Sequence, residues 1–600
     1  MVSKNFLYYV LLATIFLVIV PYITLAKEPK ANYIKLIVKQ HPEAENSIKL
    51  VIKKLNDLSS DMEKTAKLYD TINQKAYWES EAKKSFLKYL QSEGYYDATI
   101  ETEFPEGENS IIFYVNGWQR YKIKKILFKH AENSNHNINM PDLEKLKIKE
   151  GDFVIAHNII DVQKVIARDI EKTNCLLSLE VLHEAIIDNS DDTISIDFII
   201  NAGSDAKVKS VGFKGLNSVN PDYARKLIPF KNGKCFRRSL ITEAQSSLQK
   251  SGLFAITTPE IPDHTDNNGE VPIVFDLKER KHRSLKAGFS YGSDLGFGGT
   301  AGWNHRNFLG SGETVKTEVF ANQKEQIVDL TFTKPFYKKD NQTLKMGISG
   351  ENVSSKAFKS REGVVYVGVE RKLTDIWTAS ISGKYSYSVV KETKGTQNFS
   401  FLSIPLFIKR DTRDNILNSR KGHELQFKTE PFYSIKKQGK SFLKNEVLAS
   451  KYIPVGMKFD PVIALRACVG SISGAKLTQI PANERFYVGG EGSVRGYAYQ
   501  LAGELSEKNR PIGGRSMIQT SIELRTRVKN DIGFIVFFDS GNVFTAITPN
   551  FGKKMFHGAG FGFRYFTDFG PLRLDVGFPI KGRKKIDKAY QVYFGIGQNF

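Results

Sequence analysis

The sequence predicts three small α+β units in series, followed by a transmembrane antiparallel β-barrel of about 16 strands. Three observations carry this. A helix–stop–strand pattern recurs at even spacing through the first half of the chain. From near Arg283 to the end, apolar and polar residues alternate with period two in long segments. Beyond the first two dozen residues there is no run of about 18 apolar residues, which excludes a bundle of membrane helices.

The chain opens with Lys4, an apolar run from Phe6 to Val20, Pro21, and a small residue at Ala26. Residues 1–26 therefore read as a secretory signal. The alternative is a single membrane anchor, for which the run is short. Next comes an amphipathic helix at Ser80 to Glu93, with Ala82, Phe86, Leu87 and Leu90 near helical spacing, a stop at Gly94, and a strand at Ala98 to Phe104. The same order returns at Ser239 to Lys250, Gly252 and Leu253-Phe254. Gly94 and Gly252 lie 158 residues apart, and the midpoint, Thr173, closes a third helical stretch at Val162 to Lys172. That one lacks the glycine stop. Each unit closes on a strand rich in β-branched or aromatic residues: Ser110 to Val115, Thr193 to Ile200 and Val271 to Leu277. The units are placed at residues 27–118, 119–205 and 206–283.

In the second part, residues 284–600, Leu285, Ala287, Phe289 and Tyr291 oppose Lys286, Gly288 and Ser290. Trp377 to Val389, Ile518 to Thr526, Leu572 to Ile580 and Tyr590 to Phe600 alternate likewise. A soluble sandwich also alternates. Length discriminates: these segments reach about 9 residues or more, the span of a tilted membrane strand, where soluble strands average about 5 or 6. At about 20 residues per strand and turn, this part makes about 16 strands, and closure satisfies every backbone polar group.

The net charge of +21 is spread along the whole chain, unlike a nucleic-acid-binding stripe. It suits anionic lipid headgroups and polar positions inside a barrel. Three cysteines (Cys175, Cys235, Cys468) are too few and scattered for a disulfide framework or a zinc signature. Gly288 to Gly292 matches GxSxG, but lies inside an alternating strand rather than at a strand–turn–helix corner. No HExxH, P-loop, metal-ligand spacing or cofactor motif occurs, so no enzyme is expected.

Three segments carry a family resemblance: Arg485 to Tyr497, ending in Val494-Arg495-Gly496-Tyr497; Phe537 to Val543 (FFDSGNV); and Gly558 to Ile580, before a chain end at Phe600. Arg410 to Asn415 with Gly422, and Asn304 to Gly312, add weaker matches. Together they resemble the BamA/TamA superfamily of outer-membrane assembly and translocation proteins, in which POTRA domains precede the barrel. The resemblance spans essentially the whole mature chain. Three units and this length resemble the TamA branch; BamA members typically carry five POTRA units and two-partner secretion transporters two.

The resemblance implies a bacterial outer-membrane barrel with its N-terminal domains in the periplasm, acting on client outer-membrane proteins. It implies no cofactor and no nucleic acid, and leaves open a TamB-like inner-membrane-anchored partner. It implies that Arg495 tips a loop folded into the lumen and pairs there with acidic wall residues: Asp539 by motif, Glu523 by position. Glu523 shares a polar face with Gln519, Ser521 and Arg525, which supports lumen exposure independently. Around Asp539 both faces are apolar, so alternation is silent. Gly489, Gly490, Gly492 and Gly496 suit the tight turns of such a loop. The first and last strands must meet at a seam, to which Leu285, Phe289, Gly595, Gly597 and Phe600 are assigned; Gly595 and Gly597 should weaken it. By the resemblance this seam opens sideways and templates client strands by β-augmentation, and Phe600 is an assembly signal or an interfacial anchor. Two alternatives stay open: a passive solute channel, and a two-partner-type secretion transporter.

Overall fold

Ala82, Phe86 and Leu90 fall on one face of a helix and are fully buried there. In the structure, a computed structural model, this helix is α2 (Lys75–Ser92), and Gly94 follows it at φ +94°. The structure describes residues 35–40, 49–68, 75–106, 110–132, 134, 138–142, 146–393, 395–436, 439–456, 459–529, 531–550, 552, 554–567, 570–596 and 598. The proposed signal, Gly597 and Phe600 lie outside them.

Before α2 comes α1 (Lys49–Leu68), a helix that hydrophobic spacing did not single out; within it Leu55 is fully buried, amid many charged residues. These helices accompany a sheet of β1 (Lys35–Gln40), β2 (Thr99–Glu103) and β3 (Ser110–Asn116), in the order β1-β3-β2. The pattern then repeats. A second sheet, β4 (Lys122–His130), β5 (Leu179–Asp188) and β6 (Thr193–Ala202), runs β4-β6-β5 with α3 (Ala156–Thr173). A third, β7 (Lys207–Lys214), β8 (Phe254–Glu260) and β9 (Glu270–Glu279), runs β7-β9-β8 with α4 (Pro221–Lys226) and α5 (Arg238–Lys250). In the first two, the opening strand lies parallel to the closing one and the middle strand antiparallel. The apolar closing strands sit centrally, which is why they read as near-continuous β-branched runs. By compactness the chain divides in two, with the boundary running through the third sheet.

Cys175 and Cys235 form a disulfide across 60 residues, their Cα atoms 5.0 Å apart. The cysteine count had pointed away from a disulfide framework. A single bridge is compatible with that count, but its pairing follows from where the fold brings Asn174 and Cys235 together, and no local spacing announces it. Cys468 is free and buried.

From Arg283 the strands close into an antiparallel barrel of sixteen strands. They are β10 (Arg283–Gly292), β11 (Gly296–His305), β12 (Thr314–Ala321), β13 (Glu325–Lys334), β14 (Gln342–Ser354), β15 (Lys359–Lys372), β16 (Trp377–Glu392), β17 (Gly395–Ser403) with β18 (Leu406–Asp411), β19 (Gly422–Ser434), β20 (Phe442–Pro454), β21 (Val462–Ser473), β22 (Ser516–Lys529), β23 (Ile532–Phe544), β24 (Phe556–Thr567), β25 (Gly570–Ile580) and β26 (Gln591–Ile596). β17 and β18 are two parts of one strand between β16 and β19, broken at Ile404-Pro405, where proline offers no N–H to the ladder. Val328, Leu330, Ile348, Val365, Val367, Phe534, Val536, Phe538 and Phe561 are exposed on the outside. Apolar side chains turned outward along long closed strands are the arrangement lipid requires.

The chain between the third sheet and the barrel is fastened by Glu279. Its carboxylate accepts the backbone N–H groups of Asn217 (2.8 Å), Ser218 (3.0 Å) and Val219 (2.9 Å), and the Ser218 hydroxyl (2.6 Å). Asn307, past β11, donates to the Ser218 carbonyl at 3.0 Å. Burial pushes the Glu279 pKa up, but the Ser218 hydroxyl and the three amides outweigh it and hold the group at about 2. A folded pKa below the unfolded value gives stability that is complete above the ordinary carboxylate pKa and disappears as pH falls toward 2. Glu279→Gln should therefore cost about 1–3 kcal/mol near neutrality and lose less stability than the parent during acidification. Thermal unfolding of both proteins across that acid window checks this; parallel pH profiles would refute it.

Candidate functional site

Between β21 and β22 runs a long segment, 474–515, that folds into the barrel rather than away from it. Ile480, Ala482, Phe486, Val488, Val494, Tyr497 and Ala502 join one apolar cluster with wall residues Phe399, Phe401, Ile472, Met517 and Val543. Gly489, Gly490 and Gly496 adopt φ of +116°, +100° and +96°. Gly492 departs from its assignment: its φ is not positive and a Cβ there would meet nothing within 4 Å, so no turn requires it.

At the tip, Arg495 is fully buried. Its guanidinium forks onto Asp539, Nε to Oδ2 at 2.7 Å and Nη2 to Oδ1 at 2.9 Å. Nη1 lies 2.7 Å from Glu523 Oε1 and 3.5 Å from Asp575 Oδ2. Ser521 donates to Asp539 at 2.6 Å, and the Arg495 backbone N–H reaches Asp539 at 3.1 Å. The guanidinium carbon stands 3.5 Å from the Phe537 ring centroid. Arg525 pairs with Glu523 at 2.8 Å, and Arg564 pairs with Asp575. Three guanidinium groups thus face three carboxylates away from water. Each charge costs too much to bury alone, and the balanced set makes the arrangement tenable.

The structure brings Arg495, Asp539 and Glu523 together. Asp539 faces inward with Ile535 and Phe537, while Phe534, Val536 and Phe538 face outward, so the apolar inner positions are what silenced the alternation. Sequence reasoning missed Asp575 and Arg564. Asp575 stood on the polar face of its strand and carried no other mark. Also missed were the glycines under the loop tip. A Cβ on Gly558 would stand 1.9 Å from the Arg495 carbonyl oxygen, one on Gly577 2.7 Å from Gly496 N, and one on Gly541 3.0 Å from Val494 Cγ2. All three lie within the quoted motifs, so the motifs form a bare floor on which the tip rests. Tyr497 donates to the Ile580 carbonyl at 3.1 Å and Gly496 N–H to the Tyr593 hydroxyl at 3.3 Å.

Gly558→Ala should lift the tip off this floor, at about 1–3 kcal/mol. Gly492→Ala, with open space around it, should be neutral. The rate of trypsin cleavage after Lys508 in the folded protein reads the difference; equal resistance in the two variants would count against the floor.

The seam is described in part. Only Tyr291–Phe594 and Gly292–Tyr593 register between β10 and β26 among the described residues, with Ser293 N–H donating to the Val592 carbonyl at 2.9 Å. On their other edges Leu285 and Phe289 pair with Trp303 and Gly299 of β11, and Gly595 with Arg573 of β25. Among the described residues β26 therefore meets the last rungs of β10. Beyond it, Gln598 accepts from Arg564 Nε at 2.9 Å and donates to Asn418 at 3.2 Å, which ties the chain end to the buried cluster and to the turn after β18. In that turn Arg413 forks onto Asp411 at 3.0 and 2.8 Å, and Gly422 has φ +97°.

Comparison with known proteins places this geometry. Residues 307–600 match the Omp85 superfamily domain, and residues 206–280 the POTRA model, described as surface antigen variable number repeat. The chain is 23% identical over 544 residues to the outer membrane protein assembly factor BamA of Nitratidesulfovibrio vulgaris, covering 85% of this chain and 66% of that protein. It is 22% identical over 557 residues to BamA of Neorickettsia risticii, covering 85% and 71%. The crystal structure of Haemophilus ducreyi BamA lacking POTRA domains 1–3 superposes with TM-score 0.66 at 20% identity, over 79% of this chain and all of that one. The chain thus spans just under two thirds of the first relative's length. With a POTRA domain at 206–280 leading into a closed sixteen-strand barrel, residues 307–600 form an Omp85 superfamily domain.

Proposed function

We propose that this protein is an outer-membrane assembly and translocation factor that inserts or exports client proteins, autotransporters among them, by templating their strands at the β10–β26 seam. The barrel lies in the bacterial outer membrane with the POTRA region in the periplasm. The observation that carries the reading is the seam itself. Two rungs hold it among the described residues, while β25 and β26 register over six, from Leu572–Ile596 to Gly577–Gln591. A seam held by few rungs can part and offer β10 as an edge to which another strand can add. In this reading Arg495 and its carboxylates hold the loop tip against the wall beside that edge. The packed loop also argues against an open solute pore.

Finer assignments belong to the same proposal. Residues 27–118, 119–205 and 206–283 are three POTRA-type domains before the barrel of 284–600, and three such units match the TamA branch. A TamB-like partner would engage them.

Depletion in the host should lower folded, heat-modifiable outer-membrane barrels and surface-exposed autotransporter passengers. Unchanged levels with a large selective conductance in planar bilayers would make the protein a solute channel. Loss of one exoprotein alone would make it a dedicated secretion transporter. Pull-down with the segment Lys27 to Arg283 would identify an inner-membrane partner.

A further inference from the structure

We propose that the outer wall of the barrel, over β14 to β19, holds an anionic diacyl phospholipid of the periplasmic leaflet, its chains in an apolar groove and its phosphate on Arg371 and Arg410. The leaflet assignment rests on the outer-membrane orientation proposed above.

Cross-strand partners share a face. Gln342, Arg371, Ala379, Ile408 and Phe427 are successive partners from β14 to β19, and one rung further Trp377, Arg410 and Leu425 are partners. Leu425 and Phe427 are 41% and 40% exposed, which puts both rows on the outside. Alternate strands run the same way, so Trp377, first in β16, sits at the barrel end where the chain enters β10 from the third sheet. Along the wall from Arg371 runs a groove of about 520 Å³ lined by Val369, Ile381, Leu406 and Phe427. A second, of about 750 Å³, follows on the same strands, with Val367 and Ile404 on its sides.

In the second groove a side chain is missing at Gly383, which lines it. Gly350, Gly363 and Gly383 are outward partners of Val328, Tyr387 and Val367 respectively. A Cβ at any of the three would meet nothing within 4 Å, and none has a positive φ. Glycine weakens a strand interior, and neither a turn nor a close backbone approach requires it here. On β14 and β15 themselves, Gly347 and Gly368 do have close neighbours, at 2.6 and 2.4 Å. The hollow is therefore a feature of the lipid-facing surface, and the Ile404-Pro405 break adds to it.

At the periplasmic end the charge is left open. Arg371 donates from Nε to Asn341 Oδ1 at 3.2 Å, and neither Arg371 nor Arg410 joins an ion pair among the described residues. Trp377 stands in the Arg410 row, where an indole suits the headgroup level. Two planar guanidinium forks match a phosphodiester, and the apolar groove behind them selects a lipid over a free anion.

The full-length protein, reconstituted in nanodiscs of phosphatidylethanolamine and phosphatidylglycerol and transferred to detergent, tests this by mass spectrometry of retained lipid. The parent should keep phosphatidylglycerol preferentially. Arg371→Gln with Arg410→Gln should lower that preference about 30-fold, at roughly fivefold per basic residue. Gly383→Leu should lower retention of both lipids. Retention that ignores both changes would overturn the site, as would displacement of the lipid by inorganic phosphate. Heat-modifiable mobility on the same samples reports folding, so the arginine pair still decides if the leucine variant misfolds. Client insertion measured alongside separates failure of this site from failure of the assembly reading.

Discussion

Arg495→Ala is expected to destabilise the loop-in-lumen state by about 3–5 kcal/mol while leaving a barrel that still forms. The reason is the imbalance left behind. Asp539, Glu523 and Asp575 would face only Arg525 and Arg564 in a dry site, and Asp539 would lose both arms of its fork. The wall ladders do not depend on the guanidinium, so heat-modifiable mobility should persist. The loop should open instead: trypsin should cut faster after Lys508, and client insertion should fall. Arg495→Lys keeps a charge but cannot fork onto Asp539 while also reaching Glu523, and should recover only part of the loss. Removing the orphaned charge as well, with Asp539→Asn, should lessen the penalty of Arg495→Ala; the double-mutant cycle separates the pair energy from general damage. An Arg495→Ala protein with full insertion activity and unchanged trypsin resistance would end this account of the loop.

The elements legible in the sequence were those with a periodic cause. Long alternation needs only a wall with two different sides, and repeated helix–glycine–strand runs need only a repeated small unit. Arg495, Glu523 and Asp539 were legible for different reasons: motif resemblance for the first and third, a polar face for the second. Asp575 and Arg564 were not, because a charge on an inward face looks the same whether it meets water or a buried partner. The floor glycines were hidden for a related reason. Gly558 and Gly577 read as weak strand residues until the Arg495 carbonyl is seen to occupy the space of their missing side chains. Register was the least legible feature. Alternation says which face a residue takes, but not which rung it meets, so the described seam rungs, Tyr291–Phe594 and Gly292–Tyr593, were not named from the sequence.

That register makes the second large prediction specific. Cysteines at Tyr291 and Phe594, in a Cys468→Ser background, should form a disulfide, since directly opposed strand residues have Cα atoms about 4.5–5.5 Å apart, within the range a disulfide bridges. Oxidised, the pair adds a covalent rung to a seam that shows two among the described residues, and client insertion should stop; reduction should restore it. The magnitude is large because the block is geometric: a strand cannot add to an edge that cannot part. The native Cys175–Cys235 bridge lies outside the barrel, so a Tyr291→Cys single variant controls for the effect of reductant on it. A matching pair at Leu443 and Ser473, partners on neighbouring β20 and β21, tests whether any cross-wall bond has the same effect. Stiffening there should be tolerated, because that ladder already runs unbroken from Leu443–Ser473 to Pro454–Val462. If insertion continues with the β10–β26 bond fully oxidised, clients do not enter through this seam. If both pairs block equally, what matters is deformation of the whole barrel and not the parting of one edge.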